Sequence, residues 1–262
     1  MTIPGRFAAN VAWLFTEHPW LDRFAAARDA GFRAVEFPWP DDPAATADAV
    51  KASGLRVALL NMDAGDLAAG ERGWPNDPSR VDEWRNCLTD ALELAADLAC
   101  PTVNVLAGNR VAGASDGEQL ARFEANLRWA LPLAADAGVT LVTELLNRAE
   151  NPDYLLVSID DVRPLLDRLA PLGWRLQIDT WHIGLTVPDV PAAIGRVRDH
   201  IGHVQVADVP GRHEPGSGTL DWEAIGAALE GYGGAIGLEY APAGGTLAGL
   251  ATLREGWLRQ AG

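Results

Sequence analysis

Val139-Thr-Leu-Val-Thr-Glu-Leu-Leu-Asn147 is an apolar run with several β-branched residues, interrupted near its end by one carboxylate, Glu144. The Ala/Leu-rich stretch 117–137 and Gly138 precede it, and a second helix-like stretch, 160–170, follows. A strand without apolar/polar alternation, set between two helices, reads as one unit of a parallel sheet covered on both faces.

The same reading extends to both ends of the chain. Strands are expected over 7–12, 34–37, 56–61, 102–107, 139–147, 175–182, 203–208 and 235–240. Helices are expected over 21–31, 43–53, 79–99, 117–137, 160–170, 189–200, 221–230 and 246–259. Eight βα units in 262 residues point to an α/β fold closed into a (β/α)8 TIM barrel, a single domain over 1–262. An open doubly wound sheet is the runner-up. Its dinucleotide-binding form would need Gly-x-Gly-x-x-Gly after the first strand, where Trp13-Leu14-Phe15 stands instead.

Composition narrows the function classes. With 48% hydrophobic and 22% charged residues the chain has ample material for a core. A net charge of −15, with no basic stripe, argues against a nucleic-acid partner. Met1-Thr-Ile-Pro-Gly-Arg-Phe7 lacks a signal-peptide layout and no apolar stretch reaches membrane-spanning length, so no membrane association and a cytoplasmic location are expected. The two cysteines, Cys87 and Cys100, form no paired motif and read as buried bystanders.

In such a barrel the active site is assembled at the C-terminal ends of the strands. Glu144 stands near the end of strand five, and Gln177-Ile-Asp179-Thr-Trp-His182 closes strand six. His203-Val-Gln205-Val-Ala-Asp208 closes strand seven and Gly237-Leu-Glu239-Tyr240 strand eight. Glu144, Asp179, Gln205 and Glu239 are hard oxygen donors that suit one divalent cation, Mg²⁺ or Mn²⁺. Three converging carboxylates repel one another unless a cation offsets their charge.

Further stretches add to this pattern: Arg6-Phe-Ala-Ala-Asn10, Leu14-Phe15, Ala30-Gly-Phe32, Ala34-Val-Glu-Phe37, Ala64-Gly-Asp66 and Ala69-Gly-Glu-Arg-Gly73. With Glu144, Ile178-Asp179, His182, Gly202-His-Val-Gln205, Arg212-His-Glu-Pro-Gly216 and Glu239-Tyr240, they cover nearly the whole chain. Together they resemble the hydroxypyruvate isomerases and the similar 2-oxo-tetronate isomerases, within the xylose-isomerase-like barrels. The resemblance implies that the positions of Glu144, Asp179, Gln205 and Glu239 hold the metal, and that Glu144 and Glu239 are the catalytic proton-transfer pair. Many relatives follow the last Glu-Tyr with Lys-Pro. Here Ala241-Pro242 stands there, so any substrate contact from that lysine is missing.

The implied reaction converts hydroxypyruvate to tartronate semialdehyde by moving a carbon-bound proton between adjacent carbons through an enediolate. Developing negative charge on the substrate oxygens is the main obstacle, which a chelated cation relieves. A carboxylate on each side of the substrate plane then takes and returns the proton. His182, three residues past Asp179, either binds a substrate oxygen, shifts the proton affinity of a neighbouring carboxylate, or is a satisfied loop histidine. Arg212, after strand seven, either grips the substrate carboxylate or pairs with Glu214. Glu71 and Arg72, in the long loop after strand three, either fold over the substrate or form a local salt bridge. His203 shares a strand face with Gln205 and supports it or fills core. Among ten tryptophans, Trp13, Trp39 and Trp181 lie near strand ends, and Trp13 and Phe15 are expected to wall the substrate.

The expected partner is therefore a small keto or hydroxy acid. A 2-oxo-tetronate isomerase and a ketose 3-epimerase on the same barrel are the alternative readings, the second needing a longer pocket. A metal-dependent nuclease would want more histidine ligands and a basic groove, and five histidines on this acidic chain speak against it. A non-catalytic barrel would bind metal without turnover. Homo-oligomerisation through outer helices is a fold-level expectation.

Overall fold

Eight parallel strands pair in sequence order: β1 (Phe7–Asn10), β2 (Ala34–Phe37), β3 (Arg56–Asn61), β4 (Thr102–Asn104), β5 (Thr140–Glu144), β6 (Arg175–Asp179), β7 (Ile201–Val206) and β8 (Ile236–Leu238). β8 returns to pair with β1, closing the barrel. The protein is seen here as a computed structural model that describes residue 3 and residues 5–255. Residues 1, 2 and 4 of the N-terminal stretch and 256–259 of the last expected helix lie outside the described residues.

The surrounding helices are α1 (Asp22–Asp29), α2 (Pro43–Ser53), α3 (Val81–Asp97), α4 (Asp116–Asp136), α5 (Ile159–Leu169), α6 (Thr180–Gly184), α7 (Val190–Val197), α8 (Trp222–Ala228) and α9 (Thr246–Glu255). Their starts follow local chemistry. Ser115 and Ser158 form capping boxes with Glu118 and Asp161, and Asp42, Asp189 and Asp221 accept backbone N–H groups at the heads of α2, α7 and α8. No helix among the described residues is long and apolar enough to cross a membrane.

The main core lies between strands and helices. Phe24 meets Phe37 edge to face at 5.6 Å and Phe123 meets Trp174 at 6.0 Å, while Trp174 Nε1 donates to Thr143 Oγ1 at 3.0 Å. Ala8, Ala34 and Ala58 form a separate buried cluster of small side chains.

Every expected strand forms, several with earlier C-terminal ends. β1 was expected to reach residue 12 and stops at Asn10, whose Oδ1 accepts from Ala12 N. β6 was expected to reach His182 and stops at Asp179. The Asp179 carboxylate accepts from Trp181 N at 2.8 Å and caps α6, so Asp-Thr is an N-cap signal inside what reads as an extended run.

The register levels the functional layer. Asn10 pairs with Glu36, Asn61 with Asn104, and Asp179 with Gln205. Between these pairs the layer climbs by two positions, because Glu36 lies opposite Leu59, Asn104 opposite Val142, Glu144 opposite Gln177 and Gln205 opposite Gly237. This stagger is the shear of a tilted barrel. It brings one polar side chain per strand to the same height: Asn10, Glu36, Asn61, Asn104, Glu144, Asp179, Gln205 and Glu239.

Candidate active site

At the C-terminal mouth of the barrel lies a cavity of about 270 Å³, lined among others by Asn10, Trp13, Asn61, Arg72, Asn104 and Glu144, with His182, Arg212 and Glu239. Glu144 is buried, and its Oε1 has no hydrogen-bond partner, while Oε2 accepts from Asn104 Nδ2 at 3.4 Å. Burial first, then the charges of Asp179 and Glu36 against the opposing pull of Arg212, push Glu144 up to about 8. Asp179 and Glu239 are also raised, chiefly by burial. A set of buried carboxylates that resist ionising together, one with an orphaned oxygen aimed among them, fits a divalent cation. Among the described residues, candidate ligand atoms of Glu144, Asp179 and His182 lie within 4.8 Å of one another.

The His182 ring has an assignable tautomer. Its Nδ1 faces Asn147 N at 3.0 Å and Asn147 Nδ2 at 2.8 Å, and Asn147 Oδ1 accepts from Glu150 N, which orients the amide. With a backbone N–H pointing at it, Nδ1 is an acceptor and the ring hydrogen sits on Nε2. Burial, then Arg212 and Arg72, holds the imidazole well below its usual range, so it is neutral. Nε2 lies 3.7 Å from Glu144 Oε1 and 3.8 Å from Asp179 Oδ2. It therefore presents an N–H rather than the bare nitrogen a metal ligand offers.

Arg212 does not pair with Glu214, which instead accepts from Ala243 N. Its guanidinium enters the site and donates to Glu239 Oε1 at 2.5 Å and Asp179 Oδ2 at 3.3 Å, stacked between Trp13 at 4.3 Å and Trp181 at 4.4 Å. Burial opposes its charge, but Glu239, Asp179 and Glu144 outweigh that and raise its proton affinity. The residue has φ 54°, a left-handed backbone that a non-glycine adopts at a cost. Ala241 N donates to Arg212 O, and the His213 ring contacts Ala241 O. Ala241 thus holds this loop through its backbone and brings no charge to the cavity.

Asp208, buried two residues past β7, secures the same loop. Its Oδ1 accepts from Val209 N and Leu220 N, and its Oδ2 from Gly216 N and Trp222 Nε1. Asp208→Ala leaves these four donors without their acceptor. It is expected to destabilise the protein by about 3 kcal/mol, read by urea unfolding. Wild-type stability would show that other groups hold the loop.

The remaining expected residues divide. Arg72 lines the cavity, with Nε donating to Asn151 Oδ1 at 2.7 Å and Nη1 to Leu67 O and Glu71 O. Glu71 does not line the cavity, and its carboxylate is engaged by Asp66 N, Arg80 and Trp74 Nε1, which also hold its proton affinity down. The lid role expected for Glu71 has no geometric support. Gln205 is fully buried beneath the cavity, donating to Glu36 Oε1 and accepting from Gln177 Nε2. Trp13 walls the cavity as expected, but Phe15 is core, edge to face with Phe32 at 6.1 Å. Trp39 packs against the core away from this cavity.

Sequence reading passed over Glu36, Asn10, Asn61 and Asn104. Glu36 carries the same signal used for Glu144, a lone carboxylate in an apolar strand, Ala34-Val-Glu-Phe37. It is completely buried. The asparagines are single amides at the ends of short strands, a signal easily read as a turn.

The profile of the family described as xylose isomerase-like TIM barrel matches residues 24–259. The chain is 39% identical to a 2-oxo-tetronate isomerase of Cupriavidus necator, over 97% of this chain and 97% of that one. It is 38% identical to a putative hydroxypyruvate isomerase of Mus musculus, over 98% and 97% of the two chains. A crystal structure of AP endonuclease, family 2, from Brucella melitensis is similar at TM-score 0.89 and 35% identity, covering 96% of this chain and 99% of that one.

Proposed function

The chain belongs to the xylose isomerase-like TIM barrel family, and from that premise we propose that it isomerises a short 2-keto-3-hydroxy acid, converting hydroxypyruvate to tartronate semialdehyde by proton transfer. The observation that carries this reading is the meeting, in one small cavity, of a buried carboxylate cluster with two arginines, Arg72 and Arg212. The carboxylates suit a cation and a mobile proton. The arginines suit the carboxylate of an acid substrate, which a neutral ketose lacks.

Glu144, Asp179, Gln205 and Glu239 would hold a divalent cation, Mg²⁺ or Mn²⁺, as oxygen donors. When bound, the cation supplies electrostatic relief for the charge that develops on the two substrate oxygens. Glu144 or Glu239 takes the proton from the carbon bearing the hydroxyl, the hydroxyl proton passes to the neighbouring former keto oxygen, and the adjacent carbon is reprotonated by the partner glutamate or the same one. The Nε2–H of His182 steadies the developing charge by donating to a substrate oxygen. Arg72 fixes the substrate carboxylate, and Trp13 and Trp181 keep the Arg212 guanidinium and its surroundings dry.

A second reading is supported by Asn104 Oδ1, which has no hydrogen-bond partner, beside a cavity that Asn104 and Asn61 line. A free amide oxygen there suits the hydroxyl of the extra hydroxymethyl group of 2-oxo-tetronate, the substrate in the name of the C. necator relative. A nuclease reading, prompted by the name of the B. melitensis structure, is opposed by the net charge of −15, which repels a polyphosphate. The test is to compare kcat/KM for hydroxypyruvate and 2-oxo-tetronate with the Mn²⁺-loaded protein, with a ketohexose and abasic-site DNA as controls. Turnover of at least one acid, with neither control processed, is expected. Turnover of the ketose or cleavage of the DNA, with both acids untouched, would replace this assignment.

A further inference from the structure

The Glu36 carboxylate reaches from β2 across the barrel interior to β7 and β8. Oε1 accepts from Gln205 Nε2 at 2.7 Å and Asn10 Nδ2 at 3.0 Å, and Oε2 lies 2.7 Å from His203 Nε2. The space it enters is left by Gly237, where an added Cβ would lie 2.2 Å from both carboxylate oxygens. The small side chains of Ala8 and Ala34 lie two residues before Asn10 and Glu36 on the same strands and faces. A buried carboxylate with three N–H partners, set against a glycine, is a built arrangement.

We propose that Glu36 is a positioning residue for the cation site, fixing which end of the Gln205 amide faces the ligand layer. A carboxylate only accepts, so Glu36 selects the Nε2 end of Gln205 and leaves Oε1 on the β6 side. There Oε1 accepts from Gln177 Nε2 at 2.6 Å and keeps a second lone pair beside Asp179, its register neighbour. Without Glu36 the amide can turn over and present N–H to a cation. The same carboxylate also steadies Glu239, because Asn10 Nδ2 bridges Glu36 Oε1 and Glu239 Oε2, the latter at 2.8 Å. The proposal rests on the reading of Gln205 as a ligand.

Three variants separate orientation from bulk structure. Glu36→Ala removes the acceptor. Gly237→Ala displaces it while leaving its chemistry intact. Glu36→Gln keeps an oxygen toward Asn10 and Gln205 and turns its NH₂ to His203, which can carry its hydrogen on Nδ1 instead. Mn²⁺ dissociation constants, read by electron paramagnetic resonance without substrate, are expected to rise about 10- to 100-fold in Glu36→Ala and in Gly237→Ala. Those of Glu36→Gln should stay within about threefold of wild type, an inference from the retained Oε1 bonds. Wild-type affinity in folded Glu36→Ala overturns the proposal, as does a Glu36→Gln variant as weak as the alanine. If Glu36→Ala does not fold, wild-type affinity in Gly237→Ala overturns it. Absence of Mn²⁺ binding by the wild type, or unchanged affinity in Gln205→Ala, would instead discredit the ligand reading itself.

Discussion

Glu144→Gln is expected to lower kcat by about a thousandfold with only a small change in thermal stability. The amide matches the carboxylate in shape and still accepts from Asn104 Nδ2, so the surrounding packing has little reason to move. It neither takes a proton at working pH nor supplies a full charge to a cation. Glu239→Gln should produce a loss of the same order. Its charge-assisted bond from Arg212 weakens at the same time, which frees the guanidinium and should add a rise in KM. Steady-state kinetics on whichever acid is turned over measures both. Full activity in either variant would remove that glutamate from the proton path.

Removing divalent cations is expected to abolish turnover and to change how stability depends on pH. In the metal-free protein Glu144 is pushed up to about 8, chiefly by burial, and Asp179 and Glu239 are raised too. Because the folded value lies above the unfolded one, near 4.3, the folded state binds protons more tightly. The stability that protonation of Glu144 provides is complete below about pH 4.3 and is lost as pH rises to about 8, by up to roughly 1.4 kcal/mol per unit. Mn²⁺ competes with those protons, so its stabilisation should grow over the same window. Differential scanning fluorimetry with and without Mn²⁺ between about pH 5 and 8.5 reads this directly. A gap in Tm that does not widen with pH would mean that the carboxylates are not the ligands.

Much of the fold was legible because each strand is an apolar run between helical stretches, a pattern set by burial on both faces. Strand ends were less legible, since side chains decide them. Asn10 and Asp179 end β1 and begin α6 by accepting nearby backbone N–H groups, which periodicity does not register. The carboxylates at strand ends were readable one by one, and Glu36 had the same signature as Glu144. Its partners were not readable, because Glu36 is far in the chain from His203 and Gln205 and meets them only through barrel closure and the gap at Gly237. Glu71 shows the converse. Its loop left a lid and a local salt bridge both open, and Arg80 and Trp74, a few residues on, capture it locally.

Hydrogen exchange at carbon during turnover bears most directly on the central claim, which is proton transfer between two carbons of a short keto acid. The Mn²⁺-loaded protein would be incubated in D₂O with hydroxypyruvate and, separately, with 2-oxo-tetronate, and followed by proton NMR. The account predicts conversion of at least one acid to its isomer, with solvent deuterium on the carbon that gains hydrogen. Folded, Mn²⁺-loaded protein that converts neither acid and exchanges no carbon-bound hydrogen would contradict it.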